Sequence, residues 1–88
     1  MHKQGNEHYK WKPNGTRIQT KAGYIKVKLP EHPNSHMGWV YEHVAVMSKS
    51  IGRKLNKNES VHHKNGIKWD NRLQNLQLWV KVSQQDNL

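Results

Sequence analysis

The residues best suited to chemistry lie in the stretch Val61-His62-His63-Lys64-Asn65-Gly66, followed by Asp70-Asn71-Arg72 and Asn75-Leu76. Two adjacent imidazoles on an extended segment point to opposite faces. One can turn inward to a metal while the other addresses a water or a phosphate. A neutral imidazole titrates near 6.5, so it can take a proton from water at neutral pH. Lys64-Asn65-Gly66 has the composition of a tight turn. An Asn at position 75, where a return strand begins, can bond backbone groups across the loop and fix its shape. By spacing alone, the pair reads first as two surface histidines beside a turn.

The other histidines are less informative. His43 falls in a helical pattern, where a packing role is expected. His32 and His36 are four apart, a metal-binding spacing on a helix, but Pro33 argues against a helix and both read as loop residues. His2 and His8 lie in a polar arm. The chain has no cysteine, which excludes a thiolate zinc site, a disulfide framework and a Cys nucleophile.

These residues need elements to hold them. Thr16–Thr20 and Tyr24–Leu29 flank Lys21-Ala22-Gly23, and Ile25, Val27 and Leu29 alternate with Lys26 and Lys28. That period of two predicts a β-hairpin with lysines on its wet face, ended by Pro30. Residues 30–38 are a turn-rich loop, and Trp39-Val40-Tyr41 extends briefly. From Tyr41 the spacing of Val44, Met47 and Ile51 predicts a helix, closed by Gly52. Residues 56–60 read as a polar loop. Val61-His62-His63 is a short strand, Trp69–Asn75 an irregular segment, and Leu76–Val80 a second strand. Ser83-Gln84-Gln85-Asp86 has the form of a capping box, which predicts a helix from Ser83.

With 88 residues the chain is one domain at most, and with 33% apolar residues its core is small. Lys and Arg number 15 against 6 acidic residues, a net charge of +9. Such a charge implies a polyanionic partner, nucleic acid first and an anionic membrane surface second; a basic surface kept for solubility is the bland alternative. Arg17, Lys21, Lys26, Lys28, Arg53, Lys54, Lys64, Lys68 and Arg72 are the candidate phosphate contacts. Trp11, Trp39, Trp69 and Trp79 could stack on bases, but in a chain without Phe they read as core residues. Trp79 is expected in the core; Trp69, in the loop, is the candidate for nucleic-acid contact. No apolar run is long enough to span a bilayer, and the N-terminus lacks a secretory h-region, so a cytoplasmic location is expected.

The stretch from Val61 to Leu76 resembles the HNH endonuclease family, of the kind found in phage and in intron-encoded homing endonucleases. The resemblance rests on Val61-His62-His63, Asn65-Gly66, Asp70-Asn71-Arg72 and Asn75-Leu76. Upstream it extends to Gly23–Val27, His32-Pro33-Asn34, Tyr41–Met47 and Ile51–Leu55, covering roughly residues 23–80. It implies an α+β fold: an N-terminal β-hairpin and one helix, then a ββα-metal motif with a short final helix. A flexible basic arm would occupy residues 1–15 and the nuclease domain 16–88, with the metal motif at about 60–88. By position, His63 matches the general base and His62 the first metal ligand. Asn75 matches the amide that pins the loop and orients His63, and Asn71 is a second loop-stabilising amide. The family's third ligand, His or Asn, falls here at Gln84 or Gln85, with Asp86 next. A glutamine oxygen is a weak ligand for Mg²⁺.

The resemblance implies one divalent ion, Mg²⁺ or Mn²⁺, and DNA as partner. The expected activity is phosphodiester hydrolysis that nicks one strand, with the chain a monomer, a weak dimer or a subunit of a larger assembly. The glutamines leave open a second reading, an HNH-fold nucleic-acid-binding module without catalysis. A small RNA-binding protein is a third.

Overall fold

The computed structural model describes residues 12–82. Among the described residues five strands and one α-helix follow one another: β1 (Arg17–Gln19), β2 (Ile25–Lys28), β3 (Trp39–Tyr41), α1 (Glu42–Ile51), β4 (Glu59–His63) and β5 (Leu76–Val80). A 3-10 turn, Leu73–Asn75, leads into β5. The strands form two antiparallel sheets, β1-β2-β3 and β4-β5. The α+β class and the N-terminal hairpin are as the sequence predicts, with β3 added as a third strand. The final helix predicted from Ser83 lies outside the described residues. Of the predicted arm, residues 1–11 lie outside as well. Next to β1, Gly15 N donates to the carbonyl of Lys28 and Thr16 N to that of Pro13.

The hairpin turn closes through Thr20 N to Tyr24 O (2.8 Å) and Gly23 N to Thr20 O (2.9 Å). Gly23 has φ +102°, open to glycine and strained for other residues, and a Cβ there would lie 3.5 Å from Lys68 and 3.7 Å from Trp69. The turn therefore packs on the loop that follows β4. Val27 and Val40, partners across β2 and β3, are the buried residues of the first sheet.

Helix α1 ends at Gly52, whose left-handed backbone lets Gly52 N and Arg53 N both donate to Ser48 O. Its inner face buries His43 and Met47, one turn apart. Met47, Leu55 and Leu76 form the core, with Val44, Val46, Ile51, Val61 and Leu78 packed around them. Asn34 holds the segment after the helix, donating to Leu55 O and accepting from Leu55 N, both at 2.9 Å.

Strand β4 starts at Glu59, two residues before the predicted edge. Glu59 is fixed there by Arg53 (2.8 Å from each carboxylate oxygen) and by Asn56 N. The tryptophans need a larger correction. Trp79 is 51% exposed rather than buried, because Leu76 and Leu78 take the inner face of β5 and the strand period turns Trp79 outward. Trp69 is also exposed and Trp39 half-buried, so aliphatic residues and Met47 fill the core instead. Trp11 lies outside the described residues. No helix among those described is long and apolar enough to cross a membrane.

Candidate active site

Strand β4 sends its two histidines to opposite faces, as its period requires. His63 shares the inner face with Val61, which packs on the core. His62 takes the outer face. There its ring stacks on Trp79, with centroids 3.7 Å apart, and its Nε2 lies 3.3 Å from Ser60 Oγ. His63 lines a cleft of about 500 Å³ between the end of β4 and the first sheet, together with Tyr24, Tyr41, His43 and Lys68, and Ser60, Val61 and His62 form part of its wall.

Rings surround His63. His43 meets it edge-on at 4.9 Å between centroids, and Tyr24 lies at 6.2 Å. Tyr41 in turn stacks on His43 at 5.3 Å. His43 Nδ1 is buried with no hydrogen-bond partner among the described residues. Burial, and then the neighbouring His63, push its pKa down to about 4, against a smaller opposing pull from Glu42.

The loop between β4 and β5 is held from inside. Asn75 is 6% exposed; its Oδ1 accepts from Asn65 N, and its Nδ2 donates to Asn65 Oδ1 and to Asp70 O. Asn65 Nδ2 donates to Asp70 Oδ2, and Arg72 closes on the same carboxylate at 2.7 Å. The Arg72 guanidinium holds the Asp70 carboxyl well below the usual range. Asn75 thus sits where a loop pin is expected.

The amide that touches His63 is Asn71, not Asn75. His63 Nε2 and Asn71 Oδ1 are 2.7 Å apart, and Asn71 Nδ2 donates to Glu42 Oε1 at 2.8 Å. Glu42 also receives Arg17, through Nε at 2.7 Å and Nη2 at 3.0 Å. The sequence reading missed Tyr24, Tyr41 and Glu42. The one local signal was an acid at the start of a helix, which the dipole alone would explain.

The candidate phosphate contacts divide. Arg17, Arg53 and Arg72 are each paired with a carboxylate. Lys68 lies over the Tyr24 ring at 5.2 Å and donates to Ala22 O, and Lys26 lies over Tyr41 at 5.3 Å. Both flank the cleft. Lys21, Lys54 and Lys64 are exposed, and Lys28 is half-buried beside Gly38. Among the described residues no group of three or more His, Cys, Asp or Glu side chains could hold a metal ion. His62 supplies one nitrogen donor, which is not a full ligand set for an ion. Gln84, Gln85 and Asp86 lie outside the described residues.

The model of the HNH endonuclease family matches residues 40–87, more than half of the chain. No curated protein and no solved structure matches it. The matched segment takes in α1, both strands of the second sheet, the paired histidines and the pinned loop, and the fold it adopts agrees with that family's α+β architecture. With it comes a nuclease-type function on nucleic acid. The chain belongs to the HNH endonuclease family.

Proposed function

We propose that this protein is a metal-dependent DNA endonuclease that nicks one strand, with His63 as the base that activates water. The observation that carries this reading is the setting of His63. It lines a cleft large enough for a phosphodiester, one ring nitrogen is engaged by Asn71, and rings pack against its sides. An imidazole so held takes the proton of a water molecule while the water oxygen attacks phosphorus. The bond to the 3′ oxygen then breaks, leaving a 5′-phosphate and, once that oxygen is protonated, a 3′-hydroxyl. Asn75 keeps the loop in shape and Asn71 holds the ring.

The ion would be held by His62 together with Gln84 or Gln85; when bound, it supplies positive charge beside the phosphate. Lys26 and Lys68, on the tyrosines beside the cleft, and Lys64, on the loop, are the proposed contacts to the DNA backbone. The three paired arginines serve structure first.

The glutamines at the third-ligand position favour one competing reading, a DNA-binding module without cleavage. Incubation of supercoiled plasmid with Mg²⁺, Mn²⁺ or EDTA, beside His63→Ala, separates the two. Metal-dependent nicking that disappears in the variant is the expected result. Binding without nicking under every condition would overturn the enzyme reading.

A further inference from the structure

Arg17, Glu42, Asn71 and His63 make an unbroken polar chain from β1, through the first residue of α1, to the imidazole on β4. Each link has one chemical sense. A guanidinium only donates and an ionised carboxylate only accepts. The group of Asn71 that lies 2.8 Å from Glu42 Oε1 must therefore be its NH₂. That turns Asn71 Oδ1 toward His63 Nε2, 2.7 Å away. An amide oxygen only accepts, so Nε2 must carry the hydrogen. A neutral imidazole has one N–H, which leaves the lone pair on Nδ1.

We propose that Glu42, anchored by Arg17, is a positioning residue that sets the tautomer of His63 through Asn71, so that Nδ1 is the nitrogen left to take a proton. The opposite tautomer would set a lone pair against the amide oxygen. Flipping the amide to relieve that would set its oxygen against the carboxylate. The Arg17 guanidinium also holds the Glu42 carboxyl below its ordinary range, which keeps the acceptor ionised at neutral pH. The inference deepens the reading of His63 as the base and rests on it for its catalytic meaning. The tautomer itself is measurable without cleavage, metal or DNA.

The test is long-range ¹H–¹⁵N correlation of the imidazole rings in the ¹⁵N-labelled full chain, about two units above the ordinary imidazole pKa. The His63 signals are identified by their loss in His63→Ala. The wild type is expected to show a pyrrole-type shift at Nε2 and a pyridine-type shift at Nδ1. Glu42→Gln offers Asn71 a group that can donate or accept, so the ring should become a mixture of tautomers. The double variant Glu42→Gln/Asn71→Asp should restore the single tautomer, because the new carboxylate accepts from both neighbours. Asn71→Ala, which leaves the Arg17–Glu42 pair in place, gives a second reading should Glu42→Gln fail to fold.

In nicking assays kcat should fall with the fraction of Nε2–H ring while KM holds. An Nδ1–H ring in the wild type, or a single Nε2–H tautomer that persists in both Glu42→Gln and Asn71→Ala, would overturn the proposal. A wild type with the Nε2–H ring and no nicking would support the tautomer assignment and sink the nuclease reading instead.

Discussion

His43 shows what one buried ring does to the pH response of the whole chain. In the fold it is 8% exposed and its pKa lies at about 4. In the unfolded chain an imidazole titrates near 6.5. Between those values the unfolded state binds the extra proton, so stability rises with pH from about 4 to 6.5 and is lost as pH falls through that window. The size of the effect is on the order of 3 kcal/mol. Charged and titratable neighbours of His43 are Glu42, His63, Tyr24 and Tyr41. His43→Phe keeps an aromatic ring there and removes a buried nitrogen that has no partner. Urea unfolding at several pH values should show the variant losing most of the slope between pH 4 and 6.5, with little change in stability at pH 7. An unaltered slope would assign the acid sensitivity to the carboxylates instead.

At the scale of elements, β4, its loop and β5 work as one frame. Backbone pairing fixes the strands, and Asn75 fixes the loop through three hydrogen bonds. At about 0.5–1.5 kcal/mol for each bond, Asn75→Ala should cost about 2–4 kcal/mol. In a domain of this size that lowers Tm by at least about 8 °C. Thermal unfolding followed by circular dichroism checks this, and a change of only a degree or two would remove Asn75 from its place as the pin.

Much of this frame is legible in the sequence. Alternation marks β2 and β5, Asn-Gly marks the loop, and adjacency alone puts His62 and His63 on opposite faces. What is not legible is of two kinds. Trp79 reads as core from its size, yet the register of Leu76 and Leu78 turns it outward. The ties from Glu42 to Arg17 and Asn71 cross 25 and 29 residues, and no local pattern announces a contact across such distances.

For the molecule as a whole, the net charge of +9 sets how it meets DNA. Phosphate contacts release counterions, so affinity should fall steeply and linearly on a plot of log K against log salt. All three arginines of the chain are already paired with carboxylates, which leaves lysines to make much of that slope. Lys68→Ala should weaken binding about equally for unrelated duplexes and reduce the slope by about one. Fluorescence anisotropy over a salt series measures both. A loss confined to one sequence would mean that Lys68 reads bases rather than the backbone.

The hairpin of β1 and β2 lies ahead of the segment that matches the family, which begins at residue 40, inside β3. Yet it brings Arg17 to Glu42, Tyr24 to the cleft and the carbonyl of Ala22 to Lys68. The segment that matches the family and the set of residues around the cleft are therefore not the same stretch of chain. A transplant cut at residue 40 would carry away both histidines of β4 and leave behind Arg17, Tyr24 and the Ala22 carbonyl, the hairpin's share of the site's surroundings.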